Sequence, residues 1–118
     1  MAEFAGDLSS LEDGTGMFGA CDYLVLLDTK LPSLTKGDLM FSGCEKLETF
    51  EIELPSLTDG TYMFHNCGLT SWELDMPKLT NGYAMFHYCV ELASFSGDLP
   101  SLTFASDMFK YCEKLTSF

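Results

Sequence analysis

Apolar and polar positions alternate in blocks that repeat along the whole chain. A Met-Phe pair stands at Met17-Phe18, Met40-Phe41, Met63-Phe64, Met85-Phe86 and Met108-Phe109, and a cysteine follows each Phe by three residues, at Cys21, Cys44, Cys67, Cys89 and Cys112. The steps between copies are 23, 23, 22 and 23 residues. Self-similarity at a fixed period of this length marks a solenoid, in which each unit buries its apolar face against the next. The pattern predicts a repeat solenoid of five coils spanning residues 1–118 as a single domain.

Within a unit the parts are distinct. After each Cys comes a leucine, Leu24, Leu47, Leu69, Leu92 or Leu115, and then an aromatic slot. That slot holds Phe4, Leu27, Phe50, Trp72, Phe95 and Phe118. The segment 46–52 is the best strand candidate, and its stacked copies predict a short parallel sheet. Leu31-Pro32, Leu54-Pro55, Met76-Pro77 and Leu99-Pro100 follow. Proline has a fixed φ and no N–H, so these positions are corners. Asp13-Gly14, Lys36-Gly37, Asp59-Gly60 and Asn81-Gly82 carry the glycine of a turn signal. Phe104-Ala105 breaks that signal in the fifth unit and leaves open whether the glycine serves a positive φ. Met63, Phe64 and Cys67 share one face of a single helical or 3₁₀ turn, so such a turn is expected in each coil. Unit three has Cys67-x-Leu69 where the others have Cys-x-x-Leu, which predicts a tightened turn and a local shift of the ladder.

An apolar content of 47% excludes intrinsic disorder. The longest apolar run, Tyr23 to Leu27, is far short of a membrane span, so no membrane insertion is expected. Met1-Ala2-Glu3 leads into the first unit without a signal peptide. The repeat phase starts and stops without polar caps, which predicts a piece of a longer array whose end coils are prone to end-to-end self-association. The net charge of −12, with six basic residues, all lysine, argues against nucleic acid and anionic membrane as partners.

Chemistry is sparse. Five cysteines with no CxxC pair argue against structural zinc. As repeat positions they read as reduced packing residues, with an oxidised pair as the alternative. His65 and His87 share one slot in neighbouring coils, about 5 Å apart. They are either exposed variable residues or a weak transition-metal pair. Tyr88 and Tyr111 share the slot before Cys, with Tyr62 and Tyr83 nearby. Such aromatics either cover a coil edge or form a sugar- or protein-binding platform. Together Tyr62, His65, Tyr83, His87, Tyr88 and Tyr111 are the candidate ligand-binding surface. Glu51, Glu53, Glu73, Asp75 and Asp98, with Asp7, Asp28 and Lys30 nearby, form an acidic rank that reads as a solvated face or a calcium site. No nucleophile elbow, P-loop or His-Glu-x-x-His motif occurs, so no enzyme activity and no cofactor is expected.

Cys44, Leu47, Phe50, Leu54-Pro55, Leu57, Phe64 and Cys67, with their equivalents in each unit, resemble the bacterial surface-protein leucine-rich repeats of the Treponema pallidum or BspA-like type. The chain departs from that pattern in having Met before the Phe, an aromatic in place of Ile, and a longer spacing before Leu-Pro. The resemblance implies a leucine-rich-repeat-like coil with short parallel strands. It also implies a secreted or cell-surface bacterial protein that adheres to a protein or glycan ligand on a host or microbial surface. The competing expectation is a structural spacer, including a phage tail-type protein. An enzyme accessory region is a third.

Overall fold

The computed structural model describes residues 2–4, 6–22, 24–28 and 30–116, with side-chain surroundings left aside for 2–4, 25–28 and 49–51. Phe118 of the aromatic slot lies outside the described residues. The five units stack as coils. Strands β1 (Ala2–Phe4), β2 (Leu24–Asp28) and β3 (Thr49–Glu51) form one parallel sheet in that order, and β4 (Ser71–Trp72) and β5 (Ser94–Phe95) form a second. The register sets Phe4 beside Leu27, Leu27 beside Phe50, and Trp72 beside Phe95, so the aromatic slot forms two lengths of column, one in each sheet. A second column of single-residue parallel bridges joins Asp13, Lys36, Asp59, Asn81 and Phe104.

The core is a file of rings. Phe18, Phe41, Phe64, Phe86 and Phe109 stack face to face, with successive centroids 5.4, 5.4, 5.5 and 5.6 Å apart and planes within 8° of parallel. Trp72 meets Phe64 and Phe86 edge-on at 5.0 Å, the geometry that brings a positive ring edge to a negative face. Met40, Met63 and Met85 are fully buried, whereas Met17 in the first coil is 44% exposed, and Leu99, Leu102, Phe109, Cys112 and Leu115 near the other end are partly covered.

The corners follow the prolines: Leu34 N–H donates to Leu31 O, Leu79 N–H to Met76 O and Leu102 N–H to Leu99 O, closing turns with Pro second. The expected helical or 3₁₀ turn does not form, and no helix occurs among the described residues. The reason lies in the hydrogen bonds. In coil two the N–H groups of Gly37, Leu39, Phe41 and Gly43 donate to carbonyls of the next coil, while those of Met40, Ser42 and Cys44 donate three residues back. Every second donor is claimed by a neighbour, so the segment is a run of single turns. Turning those donors outward needs left-handed backbone at two places per coil, as the third residue of a type II turn does. These are Gly16 and Ala20, Leu39 and Gly43, Tyr62 and Asn66, Ala84 and Tyr88, and Asp107 and Tyr111.

The glycine of the turn signal is therefore not at positive φ. The turn there is made by the preceding side chain: Asp13 and Asp59 each accept from the N–H and hydroxyl of Thr15 and Thr61, and Asn81 accepts from Tyr83 N–H. Unit three also departs from expectation. Instead of a tightened turn, the turn after Cys67 is lost, and Gly68 N–H donates to Cys44 O of the coil before. In place of the expected local shift of the ladder, the sheet breaks between β3 and β4.

Candidate functional site

The six residues singled out in the sequence come together. They lie on the turn run between the bridge column and the cysteines, and the alternating hydrogen bonds place equal positions of successive coils side by side. His65 and His87 stack with centroids 5.1 Å apart and planes 23° from parallel. Tyr62 presents edge or face to His65 at 5.4 Å, Tyr83 at 5.5 Å and His87 at 6.1 Å. Tyr88 lies 5.2 Å from His87 and 4.8 Å from Tyr111, whose rings incline at 40°. Tyr111 also meets His87 at 5.5 Å. The result is one continuous strip of rings across coils three to five.

Tyr88 is 45% and Tyr111 48% exposed, while Tyr62, Tyr83, His65 and His87 are half-buried beneath them. The histidines are thus neither freely exposed nor core. Burial, with a smaller contribution from His87, holds the His65 imidazole below its ordinary value, and its Nδ1 lies 3.2 Å from the Ser42 hydroxyl. Nδ1 of His87 is buried with no hydrogen-bond partner among the described residues. No group of three or more His, Cys, Asp or Glu side chains arranged to hold a metal occurs among the described residues. A hydrogen bond with Tyr62 raises the Tyr83 phenol.

Three side chains extend the strip. Phe104, 50% exposed, meets the edge of Tyr83 at 5.7 Å. The Lys110 ammonium lies 5.3 Å from the Tyr111 ring centre. Leu39 occupies the place of Tyr62 one coil earlier and is exposed. Phe104 had a signal in the sequence, since it replaces the Asp or Asn of the turn, and that replacement reads as a turn defect unless its neighbours are known.

Two members of the acidic rank have partners of their own. Glu53 pairs with Lys30 at 3.0 Å, and Asp75 accepts from Asp98 N–H at 2.8 Å. Glu51 and Asp28 fall in strands whose side chains lie outside the description. The cysteines are all free thiols. Each inner one donates to the Phe carbonyl of the coil before: Cys44 to Phe18, Cys67 to Phe41, Cys89 to Phe64 and Cys112 to Phe86, at 3.0–3.1 Å. Burial pushes the Cys44 thiol up to about 11 and that of Cys89 to about 12, and raises Cys67 and Cys112 as well. A thiol kept protonated is a poor nucleophile, so the file is structural.

The sequence model of the BspA type leucine-rich repeat region matches residues 14–118 in six copies, where the Met-Phe-x-x-Cys motif counts five. No curated protein and no solved structure shows significant similarity to the chain. The match covers most of the sequence. The chain belongs to the BspA-type leucine-rich-repeat family.

Proposed function

We propose that the chain is a non-enzymatic recognition module of a bacterial surface protein, and that the strip formed by Tyr62, His65, Tyr83, His87, Tyr88, Tyr111 and Phe104 seats a macromolecular ligand, protein or glycan. The observation that carries this reading is the convergence of those rings into one strip, with Tyr88, Tyr111 and Phe104 exposed on it, on an otherwise strongly acidic molecule. Aromatic side chains of this kind supply rigid contact area at small entropic cost, and tyrosine is enriched where binding energy concentrates. The surface location follows the family, whose repeats are commonly surface-associated in bacteria.

Backbone strain supports the same reading. Tyr62, Tyr88 and Tyr111 stand at φ of 53°, 65° and 65°, and Gly16 and Gly43 occupy equivalent places in other coils. A residue with a Cβ costs about 1 kcal/mol there. A scaffold position would favour glycine, and bulky residues held at strained backbone point to a use for their side chains.

The test is a screen of the purified chain against immobilised glycans and surface proteins. A saturable ligand is expected whose binding is lost in Tyr88→Ala/Tyr111→Ala and kept in Lys30→Ala, with all three proteins melting as folded species. A chain that binds nothing saturably, or binds equally well without the two tyrosines, is a spacer.

A further inference from the structure

We propose that the side chains this strip receives are cationic, and that its partner is a protein segment bearing exposed lysine or arginine, laid across the faces of Tyr88 and Tyr111. The inference rests on the recognition reading above and specifies the ligand's charge. The strip already holds one ammonium of its own: Lys110 Nζ lies 5.3 Å from the Tyr111 ring centre, within the range at which a ring quadrupole attracts a cation. The chain has 18 acidic residues against six lysines. Three of those lysines, Lys30, Lys36 and Lys114, are held by Glu53, Asp38 and Glu91.

The border of the strip has the complementary sign. Glu45 and Glu113 follow their cysteines directly and are exposed, while Glu91, two residues after Cys89, is already paired with Lys114. Glu45 reaches Asn66 Nδ2 at 3.0 Å, which places a carboxylate against the same turn run as the rings. Asp107 takes the left-handed position that Tyr62 holds two coils earlier. Rings in the centre and carboxylates at the rim suit a cation whose alkyl stem packs on the rings while its head stays near water. An anionic or uncharged segment gains nothing from that rim.

The experiment titrates the chain into short labelled peptides: one lysine-rich, its trimethyl-lysine counterpart, one glutamate-rich, one uncharged, and a neutral oligosaccharide. The lysine-rich peptide is expected to bind saturably, and the trimethylated form at least as tightly, because attraction to a ring face needs no N–H donor. Tyr88→Leu/Tyr111→Leu keeps the apolar bulk and should weaken both by about tenfold. Lys110→Ser removes the resident cation and should tighten both. Cationic peptides that bind equally well to the leucine variant would report general attraction to an acidic molecule and overturn the proposal. Strip-dependent binding of the uncharged peptide or the oligosaccharide, with none of the cationic peptides, overturns the charge assignment and leaves the recognition reading standing. Failure of every probe overturns both.

Discussion

Gly60 lies against the thioether of Met85 in the following coil: a Cβ added to the glycine would stand 2.9 Å from Met85 Sδ and 3.0 Å from its Cε. Gly14 with Met40, Gly37 with Met63 and Gly82 with Met108 repeat the relationship. The glycine is there for room, since the methionine above it is buried and the coils are close. Ala105 takes the same place in the fifth coil. Gly60→Ala therefore forces Met85 aside inside a packed core and should cost about 1–3 kcal/mol in urea unfolding. Ala105→Gly, which opens no such contact, should change stability by less than Gly60→Ala.

Gly68→Ala tests a harder contact. A Cβ there would overlap the carbonyl oxygen of Glu45 in the coil before, and backbone cannot rotate away as a methionine tip can. This is where unit three lacks a residue and the sheet ladder breaks. The substitution should destabilise more than Gly60→Ala, measured by the same unfolding curve. A smaller loss would mean that the short unit has slack to move.

How much of this was legible in the chain depends on what each residue reports. The columns were legible because period and identity are sequence properties: five Phe-x-x-Cys copies can hardly stack except in file. The ring strip was legible for the same reason, since equal slots in adjacent coils must be neighbours. The turn run was misread as helical because Met63, Phe64 and Cys67 satisfy helical spacing, while the competitor, an N–H donated to the next coil by every second residue, leaves no mark on composition. The left-handed positions were hidden too. They fall on Leu39, Tyr62 and Tyr111 as well as on Gly16 and Gly43, so no glycine pattern gives them away. The Asp-Gly signal pointed to a real turn but to the wrong residue as its cause.

The strained positions make stability and binding separable. Leu39 stands at φ 58° and is 45% exposed, so Leu39→Gly relieves strain but also gives up the covered half of the side chain. It should stabilise the chain by no more than about 1 kcal/mol. Tyr88→Gly and Tyr111→Gly relieve the same strain but break the 4.8 Å ring pair, so their stability should stay within about 1 kcal/mol of the parent while ligand binding falls. Thermal melts run beside a binding titration check both halves.

The cysteine file sets an alkaline limit. An unfolded thiol ionises near 9, whereas in the fold burial moves Cys44 to about 11 and Cys89 to about 12. The folded chain thus holds protons that the unfolded chain releases. The stability from these thiols is complete below about pH 9 and is lost progressively as pH rises through the folded values. Unfolding at rising pH should become easier above about 9, and less steeply in Cys44→Val, which has no thiol to ionise and does not donate to the Phe18 carbonyl. Native alkylation should be slow at Cys67 and Cys89, both buried, and faster at the half-exposed Cys21.

His65 sets the corresponding limit on the acid side. Its imidazole faces the rings of Tyr62, Tyr88 and His87 and the Ser42 hydroxyl, and burial holds it below its ordinary 6.5. The unfolded chain takes the proton first as pH falls, so stability declines from 6.5 downward until the folded ring is protonated as well. Several carboxylates also titrate on the acid side, among them Asp38, which burial raises, but these are common to any variant at position 65 and cancel in a comparison. His65→Ser places in the slot the residue that coil two carries there, Ser42. The difference in unfolding free energy between parent and variant, followed from neutral to about pH 5, should slope against the parent. A flat difference would mean that the ring meets solvent freely, and that the strip is looser than the stacked histidines indicate.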